Sequence, residues 1–350
     1  MAARTAIGLD IGTSGVRAAE LSFGKHGVTL EKFGQVAVHE GAVRDGEVID
    51  GPAVTHAIRQ LWQATRFSHK QVVLGVANQR VIVRQIDLPW MPASDLRKAL
   101  PFQVQDFLPM PAEQAVLDFH PLETTTDTSG GRTQRGLLVA ASRETVLANV
   151  HAAEKAGLKV SMVDLTSFAV LRAIGKRTDL DVQTEALVDV GARVTNIVVH
   201  SGGVPRFVRI LLMGGQDITD AVAERLGVPQ LEAEGLKQEL GLYGSGTELT
   251  NAARAVESTA STFVDEIRGS LDYYRASNPD YPVERVVVSG GGSLLRGLVD
   301  RISTATRLPV QGGNPLGTMR IGKTGLDEQQ LAVVQPLAAV PVGLALGAHR

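Results

Sequence analysis

An aspartate two residues before a glycine, at the end of an apolar strand, suits the binding of a magnesium-bound phosphate. Glycine lets backbone N–H groups approach phosphate oxygens closely. The carboxylate holds Mg²⁺ through waters the ion retains. The pattern occurs twice. Ile7-Gly8-Leu9-Asp10-Ile11-Gly12-Thr13-Ser14 stands near the start, and Ala186-Leu187-Val188-Asp189-Val190-Gly191-Ala192 half a chain later. Each is followed by a second β-rich run, so each predicts a strand–turn–strand hairpin. Facing each other, the two turns would grip phosphates from both sides, with Asp10 and Asp189 sharing the metal. Gly12, Thr13, Ser14 and Gly191 would line the grip.

A third mark follows. Arg285 to Ser289 reads as a buried strand, and Gly290-Gly291-Gly292-Ser293 turns it towards a helix starting near Leu294. Such a turn permits close approach of a base and ribose, and Ser293 is expected to cap the helix.

The elements between these marks alternate. Helices are predicted over Gly51–Arg66, Ser94–Phe107 with a kink at Pro101, Arg143–Ala156, Thr166–Lys176, Gln216–Leu226, Gln230–Leu240, about Asn251–Ala276, and within Glu328–Leu346. Strands are predicted over Gln71–Ala77, Arg80–Leu88, Ala115–Leu122 and Gly136–Ala141, the last two joined by a polar, mobile loop from Thr124 to Arg132. The order is that of an α/β protein. On the long helix, Val256, Phe263, Ile267 and Leu271 have core spacing.

The 350 residues suffice for two cores. A net charge of −2 gives no electrostatic footprint for nucleic acid or an anionic membrane. The absence of cysteine excludes disulfides, thiolate nucleophiles and zinc–cysteine sites. Asp10, Arg17 and Glu20 interrupt any signal-peptide pattern, and the apolar run Leu337–Ala348 is too short to span a bilayer. A cytoplasmic chain is expected. His120, His151 and His200 are read as surface or loop residues, and Trp62 and Trp90 as packing residues.

Four motifs in order resemble the actin, sugar-kinase and chaperone ATPase superfamily. The stretches around Asp10 and Asp189 look like its two phosphate motifs, Val288 to Ser293 like its adenosine motif, and Ala233-Glu234-Gly235-Leu236-Lys237 like the helix whose Glu and Lys flank adenine and ribose. Within it, Ile86-Asp87-Leu88-Pro89, Leu108-Pro109, Gly214-Gly215-Gln216-Asp217-Ile218-Thr219 and Ala156-Gly157-Leu158 resemble the PilM family of type IV pilus assembly. The resemblance implies an actin-like ATPase fold of ribonuclease-H-like duplicated domains, with a small extra subdomain of the FtsA/PilM type. Residues 1–83, completed by 161–185, would form the first half and 84–160 the insert. Residues 186–350 would form the second half, its helical nucleotide-facing part at 216–284. The implied cofactors are ATP and Mg²⁺, held by the residues above together with Arg17, Thr195, Gly215, Glu234, Lys237, Gly290, Gly291, Gly292 and Ser293.

Two departures stand out. Arg17 occupies a position where relatives carry Lys, keeping the charge and gaining a fork. Ala192 lacks a hydroxyl, which leaves the second turn to backbone N–H groups and Thr195. The implied partner is a PilN-like inner-membrane protein, whose short cytoplasmic peptide would enter a groove between insert and first half and hold the chain at the membrane. Any ATP hydrolysis is expected to be slow, and no catalytic base can be named. The alternatives are an FtsA-like division protein, which would end in an amphipathic membrane helix that the sequence does not show, and a carbohydrate-type kinase, which needs an acceptor-site base.

Overall fold

The computed structural model describes residues 4–126, 130–175, 184–242 and 251–348. The first hairpin is β1 (Arg4–Ile11) and β2 (Gly15–Gly24), extended by β3 (Gly27–Ala37). A two-strand ribbon, β4 (Val43–Arg44) and β5 (Glu47–Val48), precedes α1 (Gly51–Thr65) and β6 (Gln71–Val76). Next come β7 (Val81–Pro89), α2 (Ala93–Gln103), β8 (Ala115–Thr126), β9 (Arg132–Ser142), α3 (Arg143–Lys155), β10 (Lys159–Leu165) and α4 (Thr166–Ile174). The second hairpin is β11 (Thr184–Val190) and β12 (Thr195–Ser201), followed by β13 (Val204–Leu211), α5 (Gly215–Leu226), α6 (Gln230–Leu240) and α7 (Asn251–Ser277). β14 (Val283–Ser289), α8 (Leu298–Thr306), β15 (Val310–Gly312), β16 (Arg320–Ile321), α9 (Glu328–Val334) and α10 (Ala339–Gly347) complete the described chain.

The duplication is visible in the sheets. The first runs β10-β6-β1-β2-β3-β16 and the second β13-β12-β11-β14-β15. In each, an antiparallel meander (β1-β2-β3 or β11-β12-β13) meets two parallel strands on its first member's other side. Apart from β16, the two sheets have the same order and directions. A third sheet, β7-β9-β8, is built from the chain between β6 and α3. Its core joins Ile86, Phe119 and Leu138 to Leu96 and Leu100 of α2. The insert expected from the sequence ran to 160, but α3 packs on α1 and β10 pairs with β6, so residues 143–160 lie with the first sheet.

Local chemistry sets the element ends. Asp50 Oδ1 accepts from Ala53 N at 2.9 Å and starts α1, with a proline in the first turn, and Arg66 ends it in the left-handed region at φ 53°. Asp327 and Gln330 cap α9 reciprocally. The range Glu328–Leu346, within which a final helix was expected, holds α9 and most of α10, separated by a 3₁₀ turn at Gln335–Ala338. The loop expected from Thr124 to Arg132 is shorter at its ends, since Thr124, Thr125 and Thr126 of β8 pair with Gln134, Thr133 and Arg132 of β9. Residues 127–129 lie outside the described residues.

Two helices tie the sheets together. α4 and α10 pack on each other, with Val170, Leu171, Ile174, Val340 and Leu344 in one buried cluster with Leu187 and Val198 of the second sheet. Gly343 makes the approach possible, because a Cβ there would sit 1.8 Å from Ala169 O. The 20 residues Glu328–Gly347 are apolar enough by length and composition to cross a bilayer. α10 nevertheless packs against β1, β2 and α4 and is almost wholly buried, the position of a core helix. Val256, Phe263, Ile267 and Leu271 of α7 are buried as their spacing predicted.

Candidate functional site

Both hairpin turns open on one cavity of about 1080 Å³. Asp10, Gly12, Thr13, Ser14 and Arg17 line it from the first half, and Asp189 and Gly191 from the second hairpin. Gly215, Glu234 and Lys237 line it from α5 and α6, and Gly290, Gly291 and Gly292 from the turn after β14.

In the first turn, Gly12 N donates to Gly15 O at 3.0 Å and Gly15 N to Gly12 O at 3.3 Å, which puts Thr13 and Ser14 at the tip. Asp10 and Arg17 are opposed across β1 and β2. Arg17 Nη1 lies 3.8 Å from Asp10 Oδ2, and Nη2 donates to Ser14 Oγ at 3.1 Å. Arg17 Nε is buried without a partner. Burial raises the pKa of Asp10, and the Arg17 charge offsets part of that rise.

The second turn repeats the backbone, with Gly191 N donating to Val194 O at 3.0 Å. The residue opposed to Asp189 is Asn196. Its Oδ1 accepts from Thr166 Oγ1 at 3.1 Å and Ser167 Oγ at 2.8 Å. Asp189 Oδ1 accepts from Ser289 Oγ at 2.7 Å. Burial pushes its pKa up to about 6 and the Asp10 charge adds to the rise, against the Ser289 hydrogen bond and Arg17.

After β14 the chain passes so close to β11 that a Cβ on Gly290, at φ +83°, would sit 2.3 Å from Val190 O. Gly290 N donates to Pro336 O at 2.8 Å, which anchors the turn to the segment leading into α10. Beside this turn, Lys237 Nζ donates to Gly215 O at 2.9 Å, Thr219 Oγ1 at 2.9 Å and Glu234 Oε2 at 2.7 Å. Burial alone would raise the Glu234 pKa, but hydrogen bonds from Lys237, Thr219 and Gln238 bring it below the usual range.

Two residues assigned to the site by the sequence point elsewhere. Thr195 is fully buried and its Oγ1 donates to Met213 O at 2.7 Å, tying β12 to the segment before α5. Ser293 Oγ turns back to Gly290 O at 2.7 Å, so it closes the glycine turn. It caps no helix: α8 begins at Leu298 after Gly297 at φ +88°. The hydroxyl is captured by the nearer carbonyl.

The residues at hand suit a magnesium nucleotide. A half-buried and a buried carboxylate, Asp10 and Asp189, with raised pKa values lack full charge compensation and offer hard oxygen donors. The orphaned Arg17 Nε and the side-chain-free glycine turns suit phosphate and sugar approach.

Sequence reading misplaced His200. It is fully buried, with Nδ1 accepting from Gly203 N at 3.2 Å and Nε2 3.2 Å from Glu185 Oε2. Arg285 completes this cluster at Glu185. The signal was the register, since Glu185 and His200 are opposed in β11–β12. Trp62 does pack, against Phe67, but Trp90 is 40% exposed with the Arg132 guanidinium 4.0 Å over its ring.

A second cavity of about 620 Å³ lies where the third sheet joins the first half. Arg80, Met110, Glu113, Arg143, Glu144 and Leu147 are among its lining residues. Arg80 ties the joint together, with Nε 3.4 Å from Glu47 Oε1 and Nη1 3.3 Å from Glu144 Oε2.

The model of the family "type IV pilus assembly protein PilM" matches residues 8–349. A solved PilM–PilN type IV pilus biogenesis complex contains a chain 28% identical, with a TM-score of 0.86, 99% of this chain and 98% of that one being covered. MreB5 of Spiroplasma citri bound to ADP is 14% identical with a TM-score of 0.52, over 98% and 95% of the two chains. Curated relatives include the cell division protein FtsA of Neisseria meningitidis serogroup B, 24% identical over 88% of this chain and 83% of that protein. The match to FtsA of Bacillus subtilis, also 24% identical, takes in 67% of this chain and 58% of that protein. The fold is the actin-like ATPase fold.

Proposed function

As this chain belongs to the type IV pilus assembly protein PilM family, we propose that it is a nucleotide-binding scaffold of a pilus assembly platform. It binds Mg-ATP between its two halves and captures the short cytoplasmic N-terminal peptide of a PilN-like inner-membrane protein. What carries the reading is the likeness, over 99% of the chain, to a protein solved as a PilM–PilN complex.

Asp10 and Asp189 would hold the metal, Thr13, Ser14 and Arg17 the phosphates, and Glu234, Lys237 and the Gly290–Gly292 turn the nucleoside. The metal would neutralise phosphate charge. The chain's own part is to orient the phosphates from two sides and to set the spacing of the halves. The peptide would occupy the cavity beside Arg80, Arg143 and Leu147, where apolar side chains find Met110 and Leu147. The partner would hold the chain at the cytoplasmic face of the inner membrane.

The test is titration of a labelled PilN N-terminal peptide from the same organism into the purified protein, with and without Mg-ATP. Saturable binding that Leu147→Asp weakens at least tenfold is expected. Absence of binding in both states, with ATP binding intact, would overturn the scaffold reading and leave the nucleotide cleft standing.

A further inference from the structure

The turn between β11 and β12 carries a cation outside the phosphate motifs. Arg193 lines the nucleotide cavity next to Gly191, as Thr13 and Ser14 of the other turn also do. Its guanidinium is not free. Nη1 donates to Asp217 Oδ1 at 2.9 Å and Nη2 pairs with Asp220, both carboxylates lying in the N-terminal half of α5.

Those carboxylates have other partners. Asp217 Oδ2 accepts from Gly214 N at 2.8 Å and so caps α5 without Arg193. Asp220 Oδ1 accepts from Gln216 Nε2 at 3.1 Å, and that amide also reaches Gln230 of α6 at 3.0 Å. The positive end of the α5 dipole favours both acids. The guanidinium can therefore leave without orphaning either one. From Arg193 the polar contacts run through Asp220 and Gln216 to Gln230, on the helix that carries Glu234 and Lys237.

We propose that Arg193 senses the terminal phosphate of the bound nucleotide. It exchanges Asp217 and Asp220 for the γ-phosphate of ATP and keeps the carboxylates when ADP is bound. A guanidinium fork fits two oxygens of one phosphate in two-point fashion, in place of one oxygen from each of two carboxylates. The exchange would remove the guanidinium's two ties to α5, while the backbone bonds from Gly215 N to Gly191 O at 3.0 Å and from Gln216 N to Ala192 O at 2.7 Å still join helix and turn. The proposal rests on the nucleotide reading of the cleft, and deepens it by naming the residue that tells triphosphate from diphosphate.

The experiment is competition binding of Mg-ATP and Mg-ADP against a fluorescent ADP, on wild type, Arg193→Gln, Arg193→Lys and Asp220→Asn. Hydrogen exchange across α5 is followed in the same states. Arg193→Gln is expected to weaken ATP about tenfold while changing ADP less than about threefold. Arg193→Lys, with charge but no fork, should fall between. Asp220→Asn frees the guanidinium and should strengthen ATP severalfold, and ATP but not ADP should speed exchange at the start of α5. Equal effects of Arg193→Gln on ATP and ADP, or weaker ATP binding by Asp220→Asn, would overturn the proposal while leaving the nucleotide site intact. Failure of the wild type to bind either nucleotide would instead remove the cleft reading itself.

Discussion

The two phosphate turns have nearly the same backbone and different electrostatics. Asp10 is the last residue but one of β1 and Asp189 of β11, each two residues before a glycine whose N–H closes the turn three residues on, at 3.0 Å in both cases. The difference lies directly across the ladder. Asp10 faces Arg17, whereas Asp189 faces Asn196, whose carbonyl oxygen is taken by Thr166 and Ser167 of α4. The first carboxylate carries its own counter-charge. The second leans on the Ser289 hydroxyl, and its pKa rises to about 6. A duplicated backbone has thus been given one charged and one neutral partner. The first half supplies the cation, and the second half supplies a carboxylate waiting for one.

The largest effect should come from removing the cation. Arg17→Ala should weaken Mg-ATP at least tenfold by calorimetry, since it deletes a forked contact and leaves Asp10 uncompensated. An unchanged affinity would dissolve the contrast between the turns. Asp189→Asn sharpens it from the other side. A carboxyl whose folded pKa lies above its unfolded value stabilises the fold fully below the unfolded pKa, and loses that contribution as pH rises through the folded one. Without nucleotide, stability should therefore fall between about pH 4 and pH 6 and then level off. At pH 7.5 Asp189→Asn should be the more stable protein, by about 1–3 kcal/mol in urea unfolding, while binding Mg-ATP more weakly.

Asn196→Ala removes the acceptor for two buried hydroxyls and should cost about 1–2 kcal/mol. Any loss of nucleotide affinity it causes should be smaller than that of Arg17→Ala. The smallest effect is expected of Ser289→Ala. It should cost about 1 kcal/mol above pH 6 and move the midpoint of the pH-dependent stability upwards, because Asp189 loses the hydrogen bond that favours its charged form.

Legibility in the sequence followed the range of the interactions. The Asp-x-Gly hairpins, the glycine turn after β14 and the helices α5, α6 and α7 depend on neighbours close in sequence, and periodicity and glycine placement announced them. Hydroxyls were read poorly. Thr195 and Ser293 have the right type and spacing for phosphate or cap contacts, but a nearby carbonyl claims each one. His200 was assigned to the surface because nothing local marks a histidine as buried; its partners Glu185 and Arg285 come together only when three strands align. Arg193 escaped notice because its carboxylates lie on the next helix, α5, over twenty residues on in sequence.

By itself, then, the sequence determined the repeated strand–turn–strand unit, the carboxylate and glycine chemistry at its tips, and hence a duplicated plan, whose actin-like character came from the resemblance of the motifs. The repeat is set by covalent geometry, glycine's missing side chain and short apolar runs before each turn. Tertiary structure alone decided which polar groups face the cavity, where the third sheet meets the first half, and how far each aspartate's pKa is raised. Burial and the identity of cross-chain partners control these outcomes. They exist only once the two sheets, joined through α4 and α10, have closed on each other.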